Sequence, residues 1–201
     1  MSRKTPAHRP GDVFPDSGSR LPAVQRDALD ADGQALYDGI TGDARSLRGL
    51  RGPAGISLNS PQLYRRSRAH SQYLRFESGL DERLRELAIL VTAREMDSHF
   101  EWHAHEAEGK RLGLEPAIID IVRKNKRVRG ADAKEAAIIA LGREAFRKHR
   151  VRRSTFATAL ELFGAETLVN IVALMGEYAA TALKLTVFDQ QLPEGATSNL
   201  D

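Results

Sequence analysis

Glu101 and His105 stand four residues apart, which places a carboxylate and an imidazole on one face of a helix. At that spacing the carboxylate can bond one ring nitrogen, fix the tautomer and raise the imidazole pKa. A histidine held this way donates or accepts a proton near neutral pH. A second acid, Glu86, opens the apolar run Leu87-Ala88-Ile89-Leu90. Burial on such a flank raises a carboxyl pKa, and a nearby cation lowers it. The only Trp, Trp102, lies between these groups, and three of the six His fall within residues 86–113. The chemistry on offer is proton transfer. His99 and His103 form an H-x3-H pair, but no third ligand accompanies them, so zinc is not indicated. Each residue also has a structural use. Ser98 and Glu101 read as an S-x-x-E capping box, with Asp97 as a rival N-cap. Glu86 can pair with Arg83 or Arg85, Trp102 can fill a core, and His105 can be a hydrogen-bonded structural residue.

These groups need two helices to position them. Leu84, Leu87, Ala88 and Val91 follow the i, i+3, i+4, i+7 spacing, which predicts a largely buried helix over 82–95. A second helix starts near Ser98. Ahead of them, residues 1–24 carry Pro6, Pro10 and Pro15 with few apolar side chains, and read as an irregular arm. A short helix over 26–40 follows. Residues 48–60 carry Gly49, Gly52, Pro53 and Gly55, and read as a loop able to cover a pocket. Ser60-Pro61 opens a helix running to about Phe76. After Gly113, helices are expected from Pro116, over 132–148, from Ser154 to Gly164, and from Glu166 to Phe188. The last is apolar on most faces, as expected of a helix buried deeply or shared between subunits. No stretch alternates with period two, so the fold class is all-α. One domain spans 25–195, with a short tail over 196–201.

With 201 residues, 41% of them apolar and 28% charged, the chain has the balance of a soluble globular domain. It has no cysteine. Disulfides are therefore excluded, and the composition fits a cytoplasmic protein. The N-terminus lacks the apolar segment of a secretory signal, and no uninterrupted apolar run is long enough to span a membrane. The net charge of +3 suits an anionic substrate.

The run Glu86-Leu87-Ala88-Ile89-Leu90, then Phe100-Glu101-Trp102-x-x-His105, Ala107 and Gly113-Leu114, resembles the carboxymuconolactone decarboxylase family of the alkylhydroperoxidase D-like superfamily. Gly52-Pro53, Ser60-Pro61 and Leu192-Pro193-Glu194-Gly195 extend the match. In the superfamily's peroxidase branch a Cys-x-x-Cys pair falls at the positions of Ser98 and Glu101. Thiol peroxidase chemistry needs a thiolate, and this chain has none. The resemblance implies the alkylhydroperoxidase D-like helical fold, assembled as trimers or hexamers. It also implies cofactor-independent acid–base chemistry, such as decarboxylation of a small anionic lactone in aromatic catabolism. Glu86, Glu101 and His105 would be catalytic, with Trp102 as a pocket wall. Arg94, at the end of the first helix, is a candidate carboxylate clamp. Asp97 departs from the pattern, which favours a small residue or Gly there.

Two other classes compete. A non-catalytic binding or scaffold protein could keep the same fold. Residues 123–153 hold twelve Lys/Arg against three Asp/Glu, a density that can attract nucleic acid. The N-terminal third offers no pair of short helices joined by a tight turn, which speaks against a DNA-binding regulator.

Overall fold

The structure is a computed structural model that describes residues 11–43 and 47–200. Among the described residues it is all-α, with one isolated bridge, Phe14 to Ser19, as the only β pairing. The helices are α1 (Ala31–Thr41), α2 (Pro53–Ser57), α3 (Pro61–Gln72), α4 (Glu82–Glu95), α5 (His99–Arg111), α6 (Pro116–Arg123), α7 (Ala133–Lys148) and α8 (Arg153–Val187).

Helix α4 is the hub. The Asp81 carboxylate accepts the Leu84 amide at 3.0 Å and caps its start. Every residue from Leu84 to Ala93 is buried, because α5, α6, α7 and α8 all pack around it. Its apolar side chains join those of α6, α7 and α8 in one core. The α4–α7 contact is close because Gly142 carries no side chain. A Cβ there would sit 2.4 Å from Val91 Cγ1. Gly142→Ala is therefore expected to cost about 1–3 kcal/mol of stability, the range for overpacking a tight core. Urea denaturation measures it, and a loss under about 0.5 kcal/mol would show that Val91 simply gives way.

Several elements differ from the reading by periodicity. The Gly- and Pro-rich segment 48–60 is not all loop, since Pro53–Ser57 makes one helical turn. Gly55 permits it, because a Cβ there would lie 1.9 Å from the Leu50 carbonyl oxygen. The helix from Pro61 ends in a five-residue π-helical segment, Tyr73–Glu77. Ser154 is not a cap: α8 starts one residue earlier, and Arg152 at its N-cap makes no side-chain cap bond. As expected, α8 breaks at Gly164, whose φ of 72° and ψ of 169° lie outside the helical region. By length and composition α8 would suffice to cross a membrane. Here it packs against α4 and α7 on one side and exposes Val169, Val172, Leu183 and Val187 on the other.

The described part of the N-terminal arm is irregular and tied to the end of α8. The Arg20 amide donates to the Phe188 carbonyl at 2.8 Å, and the Gln191 amide to the Gly18 carbonyl at 2.7 Å. Residues 1–10 of that arm lie outside the described residues. Five of the twelve Lys/Arg in the basic stretch 123–153 pair with acids within the chain. Asp120 pairs with Arg123, with Lys124 at 3.2 Å and with Lys126 at 2.6 Å. Glu144 takes Arg152 Nε at 2.6 Å, and Glu95 takes Arg147.

Candidate active site

Helices α4 and α5 meet at Asp97, which adopts a left-handed φ of 48°. Gly takes that conformation without strain, and Asp tolerates it better than most residues. The turn leaves Ser98 as the N-cap of α5 with no side-chain cap bond. The capping box read from Ser98 and Glu101 therefore does not form. Glu101 faces His105 instead, with its Oε2 3.3 Å from His105 Nε2. A complete capping box does exist elsewhere, between Asp132 and Glu135 at the start of α7.

From the other side, His105 Nδ1 lies 2.6 Å from Glu86 Oε2 on α4. Arg85 Nε donates to the other Glu86 oxygen at 3.1 Å. Glu86 is fully buried, and Arg85, Glu101 and His105 are each under 5% exposed. Glu86 is thus not a surface residue. It pairs with its neighbour Arg85, and both are enclosed. With His105 protonated, the charges of Arg85, Glu86, His105 and Glu101 alternate and cancel, which is how four ionisable groups share a buried position. Burial alone disfavours the imidazolium. The charges of Glu86 and Glu101, with their hydrogen bonds, outweigh it and hold the His105 pKa up at about 9. Burial likewise pushes against the Glu86 carboxylate, and His105 and Arg85 outweigh it, so Glu86 stays below the usual carboxylate range.

The group opens onto a cavity of about 270 Å³. Glu101 and His105 line it, and Glu86 stands behind His105. The three acid–base candidates are therefore in one chain of contacts, with two of them at the cavity wall. Trp102 and Arg94 are elsewhere. Trp102 is fully buried in the α4 core, and its Nε1 donates to Asn199 Oδ1 at 2.7 Å, so it anchors the C-terminal tail. Arg94 Nε donates to the Arg123 carbonyl at 2.8 Å, and its guanidinium pairs with Asp97. It joins α4 to α6 and does not line the cavity. His99 is exposed, and among the described residues no three His, Asp or Glu side chains gather as metal ligands.

The cavity also draws on residues outside the 86–113 stretch. Tyr178 of α8 lines it, and its ring meets the His105 ring edge-on at 5.1 Å. Burial first of all raises the Tyr178 pKa, so the phenol stays a neutral donor. Glu177 and Lys184 share that wall. Burial raises the Glu177 pKa and lowers that of Lys184. Arg48 from the 48–60 segment, Arg68 from α3 and Arg75 from the π-helical segment supply further cations. A sequence signal existed for the α8 set. Glu177, Thr181 and Lys184 recur at helical spacing in an otherwise apolar run.

Residues 61–144 match the family model described as the carboxymuconolactone decarboxylase family. Two solved structures share the fold. One is a protein of unknown function from Agrobacterium tumefaciens, whose description names the antioxidant defence protein AhpD. It is 20% identical, with a TM-score of 0.62 over 68% of this chain and 94% of that one. The other is an uncharacterised peroxidase-related protein with an alkylhydroperoxidase AhpD core, from Ralstonia eutropha. It is 18% identical, with a TM-score of 0.70 over 88% of this chain and 93% of that one. No curated protein matches the chain. At these identities the structural likeness speaks for the fold alone.

Proposed function

We propose, from the match of residues 61–144 to the carboxymuconolactone decarboxylase family and the fold shared with AhpD-like structures, that this chain is a cofactor-independent acid–base enzyme acting on a small anionic, lactone-like substrate. One observation carries the reading. A buried imidazole is held between two carboxylates, and one of these acids, Glu101, lines the cavity with it.

Decarboxylation, or proton abstraction beside a carbonyl, leaves negative charge on the substrate that must be stabilised and then protonated. In this reading His105 and Glu101 carry that proton at the cavity wall. Glu86 and Arg85 stay behind them and keep the imidazole charged and oriented. The Tyr178 phenol, kept neutral by burial and lining the cavity, is the group suited to donate to a developing enolate oxygen. The absence of cysteine removes thiolate peroxidase chemistry, whatever the AhpD-named neighbours do. We place such an enzyme in the cytoplasm, a setting that the cysteine-free composition fits. The exposed apolar face of α8 supports assembly of several copies, such as a trimer or hexamer, and a monomer mass in sedimentation velocity would remove that part.

The test is a panel of carboxylated unsaturated lactones in D2O, followed by NMR for loss of CO2 and for deuterium gained at carbon. Glu101→Gln and His105→Gln are each expected to lower the rate by about 10²–10⁴-fold, the usual contribution of a positioned acid or base. Rates unchanged in both variants would refute the relay.

A further inference from the structure

Besides His105, four cationic side chains line the cavity, and they divide into two kinds. Arg68 donates to the Gly39 carbonyl at 3.3 Å and lies 4.0 Å from Asp43. Lys184 donates to Ser57 Oγ at 2.6 Å. Both are committed to the chain. Arg48 and Arg75 are not: among the described residues neither guanidinium has a hydrogen-bond or ion-pair partner, and the Nε of each is buried without an acceptor. Enclosed charges are normally paired. Two unpaired guanidinium groups on one small cavity are the arrangement that an oxyanion completes.

We propose, resting on the acid–base reading above, that Arg48 and Arg75 anchor a carboxylate of the ligand, and that this carboxylate is not the one that reacts. Ion pairing stabilises a carboxylate relative to neutral CO2, so a clamped carboxylate resists decarboxylation. The clamp therefore fixes the ligand's position while another part of it meets Glu101 and His105, which line the same cavity. Phe76 and Phe100 also line the cavity, and the Arg75 guanidinium sits 4.8 Å over the Phe76 ring. Aromatic rings beside the two guanidinium groups suit a planar unsaturated or aromatic acid better than a tetrahedral phosphate.

The spacing between anchor and relay is built into the backbone. Arg75 lies in the π-helical segment Tyr73–Glu77, a geometry that frequently marks functional positions. Its carbonyl accepts Arg85 Nη1 at 2.6 Å, and Arg85 Nε holds Glu86 at 3.1 Å. One guanidinium thus ties the anchor's backbone to the acid behind His105. Arg48 comes from a different element, the segment that Gly55 lets turn against Leu50.

The test uses the full chain and three probes: benzoate, its neutral isostere benzamide, and inorganic phosphate, titrated by calorimetry. Benzoate is expected to bind, with benzamide weaker by about ten- to a hundredfold, the worth of a charge-assisted hydrogen bond. Arg48→Gln and Arg75→Gln are each expected to weaken benzoate by a similar factor, while Arg129→Gln, on an exposed residue, leaves it unchanged. Arg75→Lys guards against a folding defect, and it should keep part of the affinity because it keeps the charge and loses the fork. Glu101→Gln should bind benzoate at least as well as the parent, although it lacks the relay. Failure of the relay and failure of the anchor are then separate results. Benzamide binding as tightly as benzoate overturns the proposal. So does benzoate affinity unchanged in both Arg variants, no benzoate binding at millimolar concentration, or phosphate binding in preference to benzoate.

Discussion

Glu86→Gln is expected to cost about 3–5 kcal/mol of stability, the usual result of stripping one partner from a buried ion pair. The side chain keeps its size, so little of that loss comes from packing. What changes is charge. Arg85, Glu86, His105 and Glu101 sum to zero in the parent when His105 is protonated, and the variant leaves one positive charge without a counter-ion in a fully enclosed place. His105 should respond. Burial pushes its pKa down, and Glu86 is the foremost charge holding it up at about 9. Without that carboxylate the imidazole is expected to titrate several-fold closer to, or below, its ordinary 6.5. Urea denaturation measures the stability, and the pH dependence of the imidazole proton resonances measures the pKa. The Glu86→Gln/His105→Gln double variant should lose less than the two singles together, since the partners are in direct contact. A loss under about 1 kcal/mol, with the His105 titration unmoved, would mean that Glu86 is an ordinary structural acid.

How much of this was legible beforehand depends on how local each interaction is. The apolar run of α4 placed that helix at 82–95, and it is found at Glu82–Glu95, because a run of that length buried on nearly every side is bounded by charged residues at both ends. The Glu101–His105 pair was legible for the same reason, both residues being on one helix. The capping box was equally legible and did not form. The Glu101 side chain can serve the backbone at Ser98 or the imidazole at His105, each worth about 1 kcal/mol on a local scale. The deciding partner is Glu86, nineteen residues upstream, which puts the imidazole where Glu101 can join it.

Residues whose partners lie on other elements, Glu86 excepted, were harder to read. Arg94 at a helix end reads as a free guanidinium, but its acceptor is the Arg123 carbonyl on α6. Trp102 amid His and Glu reads as a pocket wall, but its indole nitrogen finds Asn199, ninety-seven residues on. Conversely, Arg48 and Arg75 lie in segments read as a cover loop and as the end of a helix, and nothing in their neighbourhood distinguishes them from solvated arginines. Only the tertiary fold, which gathers the 48–60 segment, the π-helical segment, α5 and α8 around one cavity, brings Arg48 and Arg75 to the lining that Glu101 and His105 share.

The same charge cluster predicts a pH window for stability. His105 has a pKa of about 9 in the folded chain against an ordinary 6.5. The folded state therefore binds more protons than the unfolded state between these values, and stability falls as pH rises through that interval. The His105 contribution is fully present below pH 6.5 and is lost through pH 9, with a size of about 3 kcal/mol at one pKa unit per 1.4 kcal/mol. Glu86 works in the opposite sense. Its folded pKa is depressed below 4.5, so its contribution is present above that value and lost as pH falls through the folded pKa. The two effects are one interaction seen from either partner, so they bound a single plateau between about pH 4.5 and 6.5 and do not add. Denaturation in urea across pH 4–10 should show that plateau and a decline on its alkaline side. In His105→Gln the alkaline decline between pH 6.5 and 9 should vanish, while the lower overall stability remains. Activity should follow a related course if the imidazolium is the proton donor, with the rate falling as pH passes about 9. A parent protein equally stable at pH 6 and pH 9 would mean that the imidazole is not charged between its two acids, and the relay would lose the proton it is supposed to carry.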